Sequence, residues 1–149
     1  METVISALDP ALEARIYASF ERQHVMHLLH ARLAKVVPGE VHIEFPFDES
    51  LTQQNGYIHA GILTTVMDSA CGYAAFTLMP PGRGVLSIEF KVNFLSPAIG
   101  EKFLASGKVI KSGRTITPCS SQVFANNFGE EKLVAMMQAT MMSVEKRNG

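Results

Sequence analysis

Apolar and polar residues alternate along several stretches of the chain with the two-residue period of a β-strand. The most regular stretch is "LSIEFKVNF", residues 86–94. Its apolar positions are expected to lie on one face of a strand: Leu86, Ile88, Phe90, Val92 and Phe94. Similar patterns predict strands over residues 41–47, about 102–110 and about 115–125. The last apolar run, residues 132–144, fits a helix or a strand, and we interpret it as a strand because antiparallel neighbours precede it.

Two other stretches have the features of helices. Asp9 followed by Pro10 is a typical helix start, and the apolar spacing that follows predicts an amphipathic helix over about residues 10–30. Residues 56–79 predict a second helix, which is apolar on almost every side. The order of elements predicts an α+β fold, an antiparallel sheet with helices on one face. Since a sheet of about five strands covers one side of the second helix, we expect another copy of the chain to cover the other side, which predicts a dimer.

Composition narrows the class of protein. The chain has 149 residues, of which 47% are apolar and 18% charged, and we interpret residues 1–149 as one domain. A formal net charge of −1, with acids and bases interspersed, argues against nucleic acid or a membrane surface as partner. Polar residues near the centre of the apolar helix argue against a membrane span. Cys71 and Cys119 give no disulfide framework and no secretory signal is visible, so we expect a cytoplasmic protein.

One carboxylate, Asp68, lies in the middle of the apolar helix. At the start of this helix, Ala60 and Gly61 are small residues where backbone N–H groups are unpaired and the helix dipole is positive, which suits a developing oxyanion. Asp68 lies eight residues beyond Ala60, or roughly 12 Å along the helix, and cannot reach a carbonyl held at that end. Two helices packed antiparallel about a twofold axis would instead bring Asp68 of one chain beside Ala60 and Gly61 of the other.

Several motifs in this order resemble one known family. The motifs are Gly56, "HAG" at residues 59–61, Asp68, "LSIEFKVNFLSPA" and "VIKSGRT". Together they resemble the PaaI-like hotdog-fold acyl-CoA thioesterases over about residues 41–144. The resemblance implies a long central helix wrapped by an antiparallel sheet, with the helix at about residues 10–30 as an addition. It also implies a homodimer that often pairs into a homotetramer, and hydrolysis of an acyl-CoA or acyl-carrier thioester. Coenzyme A is then part of the substrate, and no separate cofactor is expected.

The resemblance also assigns roles around the start of the helix. In the family, an acid on the helix activates water or attacks the thioester directly, and Asp68 matches that acid. The backbone N–H after the motif histidine, His59, polarises the thioester carbonyl, which places this role on Ala60 with Gly61 beside it. The family usually has glycine at the position of Ala60, so the N–H is kept while the approach to it is narrower. For His59, proton transfer and a structural role both stay open.

Further positions match family residues that handle water. Gln53 lies where the family often has an asparagine that holds the attacking water, and Asn55 is an alternative holder. Ser87, on the most regular strand, matches a position that helps to orient water or product. We also expect a hydroxyl of the helix to hydrogen-bond the carboxylate of Asp68. The candidates are Thr64, Thr65 and Ser69.

Residues 111–114, "KSGR", predict a tight hairpin between two strands. Lys111 and Arg114, together with the backbone donors of Ser112 and Gly113, are candidates to bind the phosphates of coenzyme A. The alternative is an exposed turn without a ligand, because charged residues are common at hairpin tips.

Other chemistries have weaker signals. Asp68 would also fit as a structural carboxylate that caps backbone N–H groups of a loop. The first helix contains histidines at three-residue spacing, but they point around the helix without a cysteine or acid to complete a metal set, so no metal site is predicted. These histidines are His24, His27 and His30. Cys71 lies one turn past Asp68, and we interpret it as a core thiol because no histidine is placed to activate it.

Three functions follow from these observations. The function that we predict is thioester hydrolysis. A hotdog dehydratase or hydratase would use His59 paired with Asp68. A non-catalytic acyl-binding dimer would share only the scaffold, because a fold does not by itself fix a function.

Overall fold

The computed structural model of the protein describes residues 7–146. The helices are α1 (Pro10–Glu21), α2 (His24–Leu28) and α3 (Ala60–Phe76), with a short 3-10 helix at Glu49–Leu51. The strands are β1 (Arg32–Val37), β2 (Glu40–Pro46), β3 (Arg83–Phe94), β4 (Lys102–Val109), β5 (Ile116–Asn127) and β6 (Glu130–Glu145). No helix in this part of the chain is long and apolar enough to cross a membrane.

The six strands form one sheet in the order β1-β2-β4-β5-β6-β3, and every neighbouring pair is antiparallel. The core lies between α3 and the inner face of this sheet, and it includes the stacked rings of Phe45 and Phe103, 5.2 Å apart at their centroids. The structure therefore confirms the predicted α+β class and the hotdog arrangement, a long helix wrapped by an antiparallel sheet. It also confirms the last apolar run as a strand, β6.

A glycine on β4 allows α3 to lie against the middle of the sheet. A Cβ atom on Gly107 would stand 2.3 Å from the carbonyl carbon of Ala70 in α3, so only glycine fits at this crossing. The α3 residues on this side, among them Val66, Met67 and Ala70, are fully buried. The helix is apolar on this side because it packs directly against the sheet.

The helix α1 covers part of the outer side of α3. Phe20 of α1 is buried, and its ring centroid lies 5.9 Å from that of Tyr73 on α3. The expectation that another copy of the chain covers this whole side is therefore wrong in part, because the same chain covers the second half of α3.

The single helix expected over residues 10–30 is also divided. It ends at Glu21, since Gln23 adopts an extended backbone before α2 begins.

The strand β1 is not revealed by the pattern of the sequence. Leu33 is its one buried residue, so the two-residue alternation that marks the other strands does not develop. A turn signal is present, because Pro38 and Gly39 separate β1 from β2 and Gly39 has a φ of 76°. With β1, the sheet has one strand more than the pattern predicts.

β3 is confirmed as a strand, but its apolar residues do not share one face. Its pairing with β6 shifts by one residue just after Ser87, so Ile88 forms a β-bulge. Ser87 therefore shares the inner face with Phe90, whereas Leu86 lies on the outer face opposite Met142. The expected single apolar face is wrong for this reason.

Residues 110–115 connect β4 to β5 as a loop, so the expected tight hairpin is also wrong. The Ile110 N–H donates to the Pro118 carbonyl at 2.9 Å and closes this loop. Gly113 is required inside it, because a Cβ atom there would lie 2.0 Å from the Ile116 carbonyl oxygen.

Candidate active site

Asp68 lies where α3 crosses β3. The Ser87 hydroxyl on β3 donates a hydrogen bond of 2.5 Å to Asp68 Oδ1, and Ser87 Oγ also lies 3.4 Å from the sulfur of Met141. Within residues 7–146, no Lys, Arg or His nitrogen comes within 4.0 Å of this carboxylate. Asp68 is therefore a carboxylate with a hydroxyl partner and without a cationic one.

The three helix hydroxyls expected to hold Asp68 have other partners, so that expectation is wrong. Thr64 and Thr65 each donate to the backbone carbonyl four residues earlier, at 2.9 and 2.8 Å. The hydroxyl of Ser69 pairs with the side-chain amide of Gln23. Because these hydroxyls are engaged along α3 or toward α1, the donor to Asp68 comes from the neighbouring strand instead.

Asp68 and Ser87 line a cavity of about 510 Å³ between α1, α3 and β3. We call it the carboxylate cavity. Two polar contacts join its helical walls: Gln23 Nε2 lies 3.2 Å from Ser69 Oγ, and the Tyr73 hydroxyl lies 3.1 Å from the hydroxyl of Ser19. Burial raises the pKa of Tyr73 against the opposing effects of the Ser19 hydrogen bond and a nearby arginine, so Tyr73 is a neutral hydrogen-bonding group.

The first turn of α3 has one free backbone donor. His59 is the N-cap residue, and its Nδ1 accepts the Gly61 N–H at 2.8 Å. The Gly61 N–H is therefore occupied, and the His59 ring caps the helix. The Ala60 N–H has no acceptor in the described part of the chain, and Ala60 is exposed. Of the two predicted donors, Ala60 is the one available to a ligand.

Ala60 and His59 line a second cavity, of about 570 Å³, together with Gln53. We call it the amide cavity. The Gln53 side-chain oxygen accepts the backbone N–H of Asn55, which fixes the amide group of Gln53 in the turn before α3. Asn55 is exposed and does not line the cavity. Placement therefore favours Gln53 over Asn55 as the residue near a bound ligand.

The two halves of the predicted site lie in different cavities of one chain. Asp68 lines the carboxylate cavity and Ala60 the amide cavity, and the helix separates them by roughly 12 Å. The loop residues Lys111, Ser112, Gly113 and Arg114 are exposed and line neither cavity. One chain therefore brings Asp68 to Ser87, and Ala60 to Gln53, but it does not join the two pairs.

The remaining nucleophile and ligand candidates are placed as follows. Cys71 is fully buried, and the adjacent Cys119 thiol together with burial raises the pKa of Cys71, so it is not a thiolate. His24, His27 and His30 are exposed. In residues 7–146 no three His, Cys, Asp or Glu side chains lie close enough to hold a metal ion together.

The sequence patterns miss the contribution of α1 to the carboxylate cavity. Arg15, Ser19, Arg22 and Gln23 of this region line the cavity beside Asp68. Arg15, Ser19 and Arg22 follow one another at spacings of four and three residues, which is a helical stripe of polar side chains next to the buried stripe of Ile16 and Phe20. Gln23 follows where the helix has ended. The stripe is visible in the sequence, but it does not indicate which element α1 packs against.

Comparison with known proteins places the chain in a family. Residues 55–129 match the thioesterase superfamily. A thioesterase family protein from Silicibacter pomeroyi is 48% identical, and its crystal structure matches with a TM-score of 0.89 over 91% of this chain and 99% of its own. Acyl-coenzyme A thioesterase 13 of Homo sapiens is 29% identical over 109 residues, which cover 72% of this chain and 76% of its own.

The fold comparison reaches more distant structures as well. The PaaI protein of E. coli, from the phenylacetic acid degradation operon, has a TM-score of 0.82 over 93% of this chain and 96% of its own. Its sequence identity of 16% makes this a likeness of fold alone. The family match, the relatives and the fold together show that this chain belongs to the thioesterase superfamily, whose members hydrolyse thioesters, and has the hotdog fold of the PaaI-like proteins.

Proposed function

We propose that the protein hydrolyses acyl-CoA thioesters at a site shared by two subunits, with Asp68 of one subunit and the Ala60 N–H of its partner on either side of the thioester carbonyl. The observation that carries this proposal is the state of the two groups. Asp68 is held by one hydroxyl with no cation to neutralise it, and the Ala60 N–H points out of a helix N-terminus without an acceptor among the described residues. The similarity to human acyl-coenzyme A thioesterase 13 supports the choice of coenzyme A.

The chemistry needs few groups because a thioester carbonyl has little resonance stabilisation. The Ala60 N–H and the helix dipole stabilise the negative charge that develops on the carbonyl oxygen. Asp68 takes a proton from water while the water oxygen bonds to the carbonyl carbon. The carbon–sulfur bond then breaks, the sulfur leaves with the electron pair and takes up a proton, and a free acid and a thiol result. Direct attack by Asp68 would give a mixed anhydride that water cleaves to the same products.

The partner subunit is expected along β3. This strand is a free edge of the sheet, and it exposes large apolar side chains. They are Leu86 at 60%, Ile88 at 52%, Phe90 at 44% and Phe94 at 49% exposure. A long apolar edge strand is a template for pairing with another chain, and a twofold axis through it would run the two α3 helices antiparallel. This arrangement would place Asp68 of each subunit next to Ala60 of the other.

Other parts of the proposal follow from placement. Gln53 lies beside Ala60 in the amide cavity and would hold the attacking water or the thioester. Lys111 and Arg114 lie on an exposed loop and would meet the phosphates of coenzyme A. An outward apolar patch in register across three strands, formed by Leu86, Met142 and Ile116, would pair dimers into a tetramer.

Mixing two inactive variants tests whether the site is shared. Asp68→Asn removes the carboxylate. Ala60→Pro replaces the N–H by a ring carbon and keeps the helix start, because proline fits the first position of a helix and His59 before it is already extended. Each variant should lose thiol release from an acyl-CoA by about 10³-fold. Co-refolded subunits should regain about a quarter of the wild-type rate, since half of the dimers are mixed and each has one intact site.

Two controls make the result specific. Glu131→Gln, on an exposed residue that lines neither cavity, should leave the rate unchanged. Size measurement by light scattering should show the same assembly for all variants. Full activity of Asp68→Asn, or no recovery in mixed dimers of confirmed composition, would contradict the shared site. Hydration of an enoyl-CoA without thiol release would instead identify a hydratase.

A further inference from the structure

We propose that the carboxylate cavity accepts an acyl group that ends in a carboxylate, so that the preferred substrates are coenzyme A thioesters of dicarboxylic acids. The inference rests on the proposed function for the position of the thioester carbonyl beside Asp68. Its own basis is the charge and the geometry of the far end of the cavity.

The lining of the cavity carries an excess of positive charge. Among the residues that the structure describes, its basic residues are Arg15, Arg22, Arg83 and Lys146, and its only acidic residue is Asp68. Over residues 7–146, none of these four cations comes within 4.0 Å of a carboxylate. Several cations that share one cavity without acids to neutralise them attract an anionic group of a ligand.

Two of these cations, Arg15 and Arg83, approach the cavity from the end away from Asp68. The contact of Ser87 with Asp68 fixes one point where β3 and α3 meet, and Val85 faces Gly72 one turn farther along α3. The same antiparallel course brings the backbone of Arg83 toward the end of the helix that carries Phe76, and its guanidinium lies beside Ser143, which pairs with Val85. That end lies eight residues from Asp68, or roughly 12 Å along the axis.

A second cation reaches the same end from α1. The guanidinium carbon of Arg15 lies 5.7 Å from the centroid of the Phe76 ring. Arg83 is held in place by its own hydrogen bonds, from Nε to Ser143 Oγ at 2.9 Å and from one terminal nitrogen to the Ser143 carbonyl at 3.0 Å. A guanidinium fixed in this way loses little conformational freedom when it binds a carboxylate with its remaining N–H groups.

The part of the cavity between Asp68 and the cations near Phe76 suits a methylene chain. The Tyr73 ring, the Val85 side chain and the Phe76 ring line it, and these surfaces are apolar apart from the Tyr73 hydroxyl. An acyl chain could therefore run from the carbonyl beside Asp68 to the cations. The pantetheine arm of coenzyme A is longer than this stretch when extended, which is why we assign the anion to the acyl group and not to a phosphate of coenzyme A.

The test compares two acyl-CoAs of the same chain length, adipyl-CoA and hexanoyl-CoA. The wild-type protein should have a kcat/KM for adipyl-CoA higher by about tenfold or more, the size of one charge-assisted hydrogen bond. Arg83→Met and Arg15→Met, made separately, should each lower this ratio by at least about threefold. Arg32→Met is the matched control, because Arg32 is an exposed arginine that pairs with Glu44 and lines neither cavity, and it should leave the ratio unchanged.

Other outcomes would overturn the proposal or test it separately from the proposed function. No preference for adipyl-CoA in the wild type would overturn it. If the Arg83 and Arg15 variants instead lose the preference for hexanoyl-CoA over hexanoyl-pantetheine, the cations bind phosphates of coenzyme A, which also overturns it. If the wild type hydrolyses no thioester, the proposed function fails, and calorimetry then decides the inference alone. Adipate should bind more tightly than hexanoate, and Arg83→Met should remove the difference.

Discussion

Two partly buried carboxylates, Glu40 on β2 and Asp68 on α3, have opposite surroundings. Glu40 Oε1 lies 2.6 Å from His42 Nε2, 3.3 Å from Lys35 Nζ and 3.9 Å from Lys108 Nζ. Burial by itself would raise the pKa of Glu40, but hydrogen bonds from His42 and Lys35 and the charges of both lysines outweigh burial, so its pKa is lowered. The negative charge of Glu40 is thus neutralised where it lies.

Asp68 has no such neighbours in the described chain. Its partner is the Ser87 hydroxyl, which orients the carboxylate, and no cation of residues 7–146 lies within 4.0 Å of it. The difference between Glu40 and Asp68 is that the charge of Glu40 is used within the sheet, whereas the carboxylate of Asp68 is open to a ligand. A carboxylate surrounded by cations stabilises the sheet, whereas one held by a single hydroxyl at a cavity wall is available to a substrate.

Neighbouring residues of β4 face opposite sides of the sheet, one toward Glu40 and one toward α3. Ser106 faces outward, and its hydroxyl lies 3.2 Å from His42 beside Glu40, whereas Gly107 faces inward against α3. A change on one face should therefore affect one carboxylate and spare the other, which makes the comparison testable.

The largest effect on stability is expected from Gly107→Ala. The added Cβ atom would collide with the Ala70 carbonyl, so the free energy of unfolding should fall by about 3 kcal/mol. Chemical denaturation measures this change. Gly72→Ala is the control, because a Cβ there stands 3.8 Å from Val85 in ordinary contact. Equal losses of stability in the two variants would mean that the close approach of α3 to β4 does not require glycine at position 107.

A smaller effect is expected from Ser87→Ala, which removes the hydrogen bond to Asp68. Because Ser87 positions the carboxylate, kcat for an acyl-CoA should fall by about tenfold while KM changes little. Steady-state kinetics separate the two constants. Ser120→Ala, on a strand away from both cavities, is the matched serine control. A change confined to KM would show that Ser87 binds substrate and does not position Asp68.

The smallest effect is expected from Glu40→Gln. The lowered pKa of Glu40 means that its contribution to stability is complete above the ordinary glutamate value of 4.5 and is lost as the pH falls through the lowered value. The variant should therefore be less stable than wild type by about 0.5–1 kcal/mol at neutral pH, and equally stable in acid. Urea titrations at both pH values measure this. A difference that persists in acid would mean that charge is not its cause, and thioester hydrolysis should be unchanged throughout.

Much of the fold could be predicted because most strands have one solvent-exposed face and one buried face. Periodicity identifies β2, β4 and β5, the antiparallel neighbours identify β6, and the continuous apolar run identifies α3. The bulge at Ile88 could not be predicted, because it depends on how β3 pairs with β6 and leaves no signal in a regular alternation. β1 was hidden for the opposite reason, since its single buried residue gives no alternation at all.

For the site, the sequence by itself determined which groups have unusual chemistry. It identified Asp68 as a lone acid in an apolar helix and Ala60 as a residue of a helix start, because the cost of burying charge and the unpaired groups of a first turn are local properties. Only the tertiary structure decided which neighbours these groups have. The choice of Ser87 as the partner of Asp68, the capture of the Gly61 N–H by His59 and the position of the arginines around the cavity all depend on how distant elements pack, and spacing along the chain does not contain that information.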